Sequence, residues 1–193
     1  MSSLLLAAFP PELAGLDAAP PAGWIAATTG VGALAAALET ARLVAAHRPD
    51  RALFLGTCGA YDDRLRVGDL LSAAEAVATS VEERLGRAYR PAPERTRWPA
   101  SWALPLPAQA VAVPPAITRS EEGARLLGLL AAAEHLELAG VFAACHAAGV
   151  PVAAALAVAN RVGPEAHAEW KANHARVSSE LVAALRAAGV LAP

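Results

Sequence analysis

The apolar run HLELAGVFAACHAAGVPVAAALAVANRVG, from His135 to Gly163, carries one acid, Glu137, near its start and one amide, Asn160, near its end. A carboxylate set among Leu136, Leu138, Val141 and Phe142 is costly to bury unless it is paired or hydrogen-bonded. Glu137 is therefore either a salt-bridged or edge-exposed group, or a group placed there to work. Asn160 can donate and accept at once; taken alone at a strand end, it satisfies a turn more often than it holds a ligand. A third candidate, Glu12, directly follows the first apolar segment, and an acid in a first helical turn is more often a capping group than a catalyst. The stretch Gly56-Thr57-Cys58-Gly59 adds small residues and free backbone N–H groups where a ligand could approach closely, although glycine at a strand end is common.

These residues need elements to hold them. Ser3 to Ala8 has the composition of a short buried strand, and Pro10-Pro11 opens a possible helix, since proline suits the first helical position. Trp24 to Thr28 is a second strand, followed by a glycine turn and a helix from Ala33 to His47. Ala52 to Leu55 is a strand ending at Gly56, and a strand or pair of strands begins near Val67. Residues 84–107 are rich in Pro, Arg and Trp and lack periodicity, which predicts a long surface excursion or lid. Ala110 to Val113 is a short strand. Ser120 caps a helix through Leu130, with acids in its first turn where they suit the helix dipole.

The opening run divides at Gly149-Val150-Pro151 into a buried helix, Leu136 to Ala148, and a buried strand, Val152 to Val158. A membrane span needs about 20 unbroken apolar residues, so this break argues against one. Trp170, His174, Val177 and Leu181 recur at helical spacing in a final helix, His167 to Ala188. Strands alternating with helices predict a doubly wound α/β fold, in which ligands bind beyond the carboxyl ends of the strands. That rule directs attention to Ala8–Glu12, Gly30–Gly32, Gly56–Ala60 and Ala159–Gly163.

Composition sets the outer limits. With 193 residues the chain suits one domain with a substantial core, and 55% apolar content argues against disorder. A net charge of −2 without a basic stripe lends no support to a nucleic-acid or anionic-membrane partner. Cys58 and Cys145 form no CxxC pair and are expected as reduced, buried thiols. The N-terminal apolar run lacks a basic segment and is broken by Pro10 and Pro11, a poor signal peptide. A cytoplasmic protein needing no metal or cofactor is the expectation.

Taken in order, AAFPPELAGL, TTGVGALAAALETARL, FLGTCGAYDDRLRVGDLL, AITRSEEGARLL, the run from His135 to Gly163 and the C-terminal amphipathic helix resemble the purine nucleoside phosphorylase and nucleosidase superfamily. Within it, the chain is most similar to nucleosidases that hydrolyse methylthioadenosine, S-adenosylhomocysteine or futalosine. The resemblance implies a single three-layer α/β/α domain over residues 1–193, with a central mixed, mostly parallel twisted sheet. It implies a catalytic set of Glu12 on the hydrolytic water, Glu137 on the ribose hydroxyls and Asn160 on the purine. It further implies substrate contacts at Phe9, Val31, Thr57, Cys58, Gly59, Ile117, His135 and Leu136.

His135 stands where the family customarily has Glu, and serves either as an acid or as a structural group. Asn160 stands where adenosine-type enzymes carry Asp, and ANRVGP looks like the futalosine hydrolase version. An Asn amide can donate to a 6-oxo group or N7, which implies hypoxanthine as the leaving base. The family's phosphorylases bind phosphate with an N-terminal glycine and arginines; no arginine lies between Ala8 and Asp17, and Gly15 comes too late. The implied activity is futalosine hydrolysis in menaquinone biosynthesis by a homo-oligomer. The alternatives are a methylthioadenosine/S-adenosylhomocysteine or other purine nucleosidase, and a catalytically silent nucleoside-binding relative.

Overall fold

A computed structural model describes residues 2–92 and 94–191. In chain order the elements are β1 (Ser3–Ala7), a 3₁₀ turn (Pro10–Leu13), β2 (Trp24–Thr28), α1 (Ala33–His47), β3 (Arg51–Ala60) and β4 (Leu70–Ala78). There follow α2 (Val81–Arg84), β5 (Arg97–Pro99), β6 (Ala108–Val113), α3 (Glu121–Gly128), β7 (Ala133–Glu134), α4 (Leu138–Ala147), β8 (Val152–Arg161) and α5 (Ala166–Ala187).

β1 lies between β2 and β3, all three parallel, and β3 runs parallel to β8. Strands in such a position are covered on both faces, so their sequences are continuously apolar rather than alternating. SLLLA, ALFLG and VAAALAVA show this pattern. Their side chains still alternate between two cores. Leu4, Leu6, Phe54 and Leu156 face α1 and α4 with Leu138, Val141 and Phe142, while Leu5, Leu53, Leu55 and Ala155 face α5 with Val177, Leu181 and Leu185. This is the expected α/β/α layering around a mixed sheet of eight strands.

Several boundaries differ from the sequence reading. β3 does not stop at Gly56 but continues through Gly56-Thr57-Cys58-Gly59-Ala60, because β8 pairs with it along that length, with a register shift at Cys58/Gly59. The predicted strand near Val67 begins at Leu70. Glu137 is not inside a helix: α4 starts at Leu138, and Glu137 occupies its N-cap. The preceding residues form β7, which pairs with both β3 and β6. With β8 joining β3 to β4 and β6 joining β4 to β7, the pairings close into a ring.

Residues 84–107 stay largely at the surface, but part of the segment is tied down. Arg97–Pro99 pairs antiparallel with β4, Leu104 is buried, and Trp98, Trp102 and Leu106 pack on the two cores. No described residue of 84–107 borders the cavity discussed below, so the lid half of that expectation is not met. Proline prevented a regular hydrophobic period there, so the sheet-edge pairing left no pattern in the sequence. Cys58 and Cys145 are free and buried. Among the described residues, no helix is long and apolar enough to cross a membrane.

Candidate active site

The carboxyl ends of β1, β3 and β8, the loop before α1, β7 and the start of α5 surround a cavity of about 370 Å³. Glu12, Glu137 and Asn160 all border it. So do the other residues singled out from the sequence: Phe9, Val31, Thr57, Cys58, Gly59, Ile117, His135 and Leu136. Glu134, His167 and Trp170 border it as well and were not singled out.

Glu12 is delivered by the 3₁₀ turn, which Pro10 and Pro11 start directly after β1. Its Oε1 accepts from the Thr57 backbone N–H at 2.8 Å and from the Thr57 hydroxyl at 2.7 Å, and its Oε2 accepts from Ala8 N–H at 3.2 Å. Glu12 is only 3% exposed. Burial pushes its pKa up to about 7, overcoming the stabilisation that these donors give the ionised form, and the nearby Glu137 charge adds to the rise. A carboxylate tuned to neutrality is suited to taking a proton from water at physiological pH.

Thr57 is itself held. Its Oγ1 accepts from the Trp170 indole N–H at 3.0 Å, which leaves the single hydroxyl hydrogen for Glu12. Trp170 belongs to α5 and stacks on His174 at 4.3 Å between ring centroids, with Phe9 tilted against it at 5.7 Å. Replacing Trp170 with Phe keeps the aromatic packing and removes the donor. The freed Thr57 hydroxyl then rotates, and Glu12 loses part of what opposes its burial. The acidic limb of the pH–kcat profile should move upward, with kcat at neutral pH falling roughly three- to tenfold; an unshifted limb would exclude the relay.

Glu137 sends its side chain away from its own helix. Oε1 accepts from Gly32 N–H at 2.7 Å, at the N-terminus of α1. Gly32 has φ +91, a conformation in which a side chain would be strained, so the bond depends on glycine there. The helix dipole of α1 adds to this anion-holding geometry. His135 Nδ1 lies 3.1 Å from both the Glu137 backbone nitrogen and Glu137 Oε2. Burial pulls the His135 pKa down, so the ring is neutral. The backbone N–H can only donate, so Nδ1 is the acceptor and the contact with Oε2 is not an ion pair. Of the two roles open to His135, the geometry supports the structural one: its ring packs edge-on against Phe54 at 5.3 Å.

Asn160 closes the site from β8. Its Nδ2 donates to Arg161 O at 2.9 Å, which leaves a second N–H on that nitrogen. Cys58 also faces the cavity, but burial raises its pKa far above neutrality, so it is not a nucleophile. Glu134 was missed because it sits one residue outside the apolar run that drew attention; a second buried acid three residues before Glu137 was the available signal. In the sequence Trp170 shows only helix-packing spacing and His167 only the start of the final helix, neither of which reveals the Trp170–Thr57 bond or the place of both residues on the cavity.

An α/β/α sheet of this topology defines a nucleoside phosphorylase-like fold, here with acids and an amide at converging strand ends. The family model of the phosphorylase superfamily matches residues 24–118 of the chain. No curated protein sequence matches it. Among solved structures, the 5′-methylthioadenosine/S-adenosylhomocysteine nucleosidase of Helicobacter pylori superposes with a TM-score of 0.85 and 18% identity, covering 98% of each chain. The futalosine hydrolase of Helicobacter pylori strain 26695 gives 0.82 and 19% identity, covering 96% of this chain and 97% of that one. A 5′-methylthioadenosine/S-adenosylhomocysteine nucleosidase from Colwellia psychrerythraea, in complex with adenine, gives 0.78 and 20%, covering 99% and 96%. At these identities the likeness is one of fold.

Proposed function

We propose that this protein is a purine nucleosidase that hydrolyses the N-glycosidic bond of futalosine and releases hypoxanthine, a step of menaquinone biosynthesis. The observation that carries the hydrolytic reading is Glu12: buried, with a pKa near 7, and held by Thr57 in the cavity that Glu137 and Asn160 share. Glu12 takes a proton from water as the glycosidic bond breaks and positive charge grows at C1′. Glu137 accepts from the ribose hydroxyls, its own position fixed by Gly32. The Asn160 amide donates to N7 or O6 of the departing base, which leaves with the bonding electron pair as the anion and takes its proton from solvent to give hypoxanthine.

Water rather than phosphate is the nucleophile on this reading. Among the described residues lining the cavity there is no Arg or Lys, and His135 is neutral. A phosphate dianion would enter without a guanidinium or ammonium group to replace its hydration. Phe9, His167 and Trp170 supply aromatic surface at the α5 side of the cavity, which suits an aromatic 5′ substituent. The exposed Val31, Leu34 and Leu38 at the start of α1, with Ile117 beside the cavity, provide an apolar surface for a second copy in a homo-oligomer, which sedimentation tests directly.

A methylthioadenosine or S-adenosylhomocysteine nucleosidase is the second reading, favoured by the fold neighbours of that activity. Incubation of the protein with futalosine, inosine and methylthioadenosine, followed by assay of free base, separates the two. Hypoxanthine from futalosine alone supports the first; adenine from methylthioadenosine supports the second; no base from any of them leaves a silent binding protein. Asn160→Asp should shift selectivity toward the 6-amino base by roughly tenfold, because an ionised carboxylate accepts from an exocyclic amine but cannot donate to a 6-oxo group. Unchanged selectivity would remove Asn160 from base recognition.

A further inference from the structure

Glu134 is a third buried acid in the cavity, with no part in the chemistry above. β7, which carries it, is only two residues long and is pinned between β3 and β6. Gly59 of β3 is in register with Glu134 on one side and with Asn160 on the other. Register partners project to the same face of a sheet, so an acid, a glycine and an amide lie in one row across three strands. A Cβ at Gly59 would come within 2.8 Å of Asn160 Nδ2, so the Asn160 amide can lie over β3, toward Glu134, only because position 59 has no side chain. Glu134 and Asn160 both border the cavity, so one flat heterocycle lying in it can present its edge to both.

The hydrogen bonds of Glu134 define what it offers. Oε1 accepts from Thr118 N–H at 3.0 Å and Oε2 from the Tyr61 hydroxyl at 2.9 Å. Burial and the Glu134 charge raise the Tyr61 pKa well above neutrality, so Tyr61 remains a donor. Two fixed donors orient the carboxyl group as an acceptor, and each oxygen retains a lone pair for a ligand.

We propose that Glu134 selects the leaving base, accepting the N1–H of a 6-oxopurine while Asn160 donates to the adjacent O6 or N7. A 6-oxopurine presents donor, acceptor and acceptor along this edge. A 6-aminopurine presents an N1 lone pair, which would face the carboxylate with no hydrogen between them. Burial raises the Glu134 pKa and the Thr118 and Tyr61 donors lower it; a bound N1–H adds a third donor to the ionised form. The selectivity then belongs to Glu134 and Asn160 jointly, not to Asn160 alone. This inference rests on the purine nucleosidase reading.

Two measurements test it. Calorimetry on the unmodified protein compares hypoxanthine with 1-deazahypoxanthine, which has C–H in place of N1–H and the same shape. Binding of the deaza base should be weaker by at least ~30-fold, the usual loss when a hydrogen bond to a charged group is removed. Glu134→Gln should lower kcat/KM for futalosine by a similar factor of ~30 while altering that for its 6-amino counterpart by less than about threefold. Equal binding of the two bases, or equal loss on both nucleosides, would overturn the role. A protein that releases no base from any nucleoside and binds neither base would instead overturn the nucleosidase reading, and this inference with it.

Discussion

Glu12→Gln lowers base release by about 10³-fold, within the usual range for losing a positioned general base, and leaves the fold intact. The substitution keeps volume and retains an oxygen that can accept from Thr57. It removes the group able to take a proton. Steady-state assay of free base on the variant and the parent decides the point, and near-normal turnover would show that another group activates the water.

The same residue couples activity to stability through pH. A folded-state pKa near 7, against an ordinary 4.5, means that the fold favours the protonated form of Glu12. Its stabilising effect is complete below pH 4.5 and is lost as pH rises through about 7. The loss is on the order of 3 kcal/mol. Activity runs the opposite way, because the base must be ionised, so kcat/KM rises with pH through the same interval. Denaturant titrations between pH 4.5 and 8 should show the parent protein losing stability relative to Glu12→Gln. Parallel pH curves for the two proteins would contradict the burial assigned to Glu12. At neutral pH this site works where its own ionisation costs the fold most.

Gly140→Ala has the largest expected effect on stability. A Cβ at position 140 of α4 would lie 2.0 Å from the carbonyl oxygen of Ala33 and 3.0 Å from the nitrogen of Ala37, both in α1. The obstruction is backbone, so no side-chain rotation relieves it. Alanine is worth about 1 kcal/mol over glycine within a helix, and the forced separation of two packed helices outweighs that gain. A net loss of about 3 kcal/mol follows, lowering Tm by about 6–12 °C in a chain of this size. The site should respond too, since displacing the start of α1 moves Gly32 away from Glu137. The variant should therefore show a raised KM for nucleoside along with the lowered Tm. A melting temperature within ~2 °C of the parent would mean that the helices separate at little cost.

The sequence reading of the elements succeeded where a pattern is local. Trp24–Thr28 and Ala33–His47 match β2 and α1, and the side-chain cap predicted at Ser120 forms to Gly123 N–H. The Gly-Val-Pro turn separates α4 from β8 as its chemistry requires. Errors fell where distant partners set the boundary. β3 extends past Gly56 because β8, nearly a hundred residues away, pairs with it through Ala60. Arg97–Pro99 is a strand only because β4 lies beside it.

The candidate site divides in the same way. Glu12, Glu137 and Asn160 were visible as polar letters in apolar surroundings at the ends of elements, and the family resemblance supplied their tasks. Glu134 and Trp170 were not visible as site residues. Glu134 enters the cavity because a two-residue strand closes the ring of pairings beside Gly59, and no period can announce a strand that short. Trp170 reaches Thr57 across 113 residues of sequence, and Thr57 reaches Glu12 across 45.

By itself, then, the sequence determined the α/β succession, the two-sided burial of β1, β3 and β8, and the polar residues left at their carboxyl ends. Propensity, periodicity and turn chemistry act over a few residues and are written in neighbouring letters. The tertiary structure alone decided which donors hold Glu12, how far its pKa rises, and that Glu134 stands in one row with Gly59 and Asn160. Desolvation and long-range pairing are sums over groups distant in the chain, so they exist only once the chain has folded.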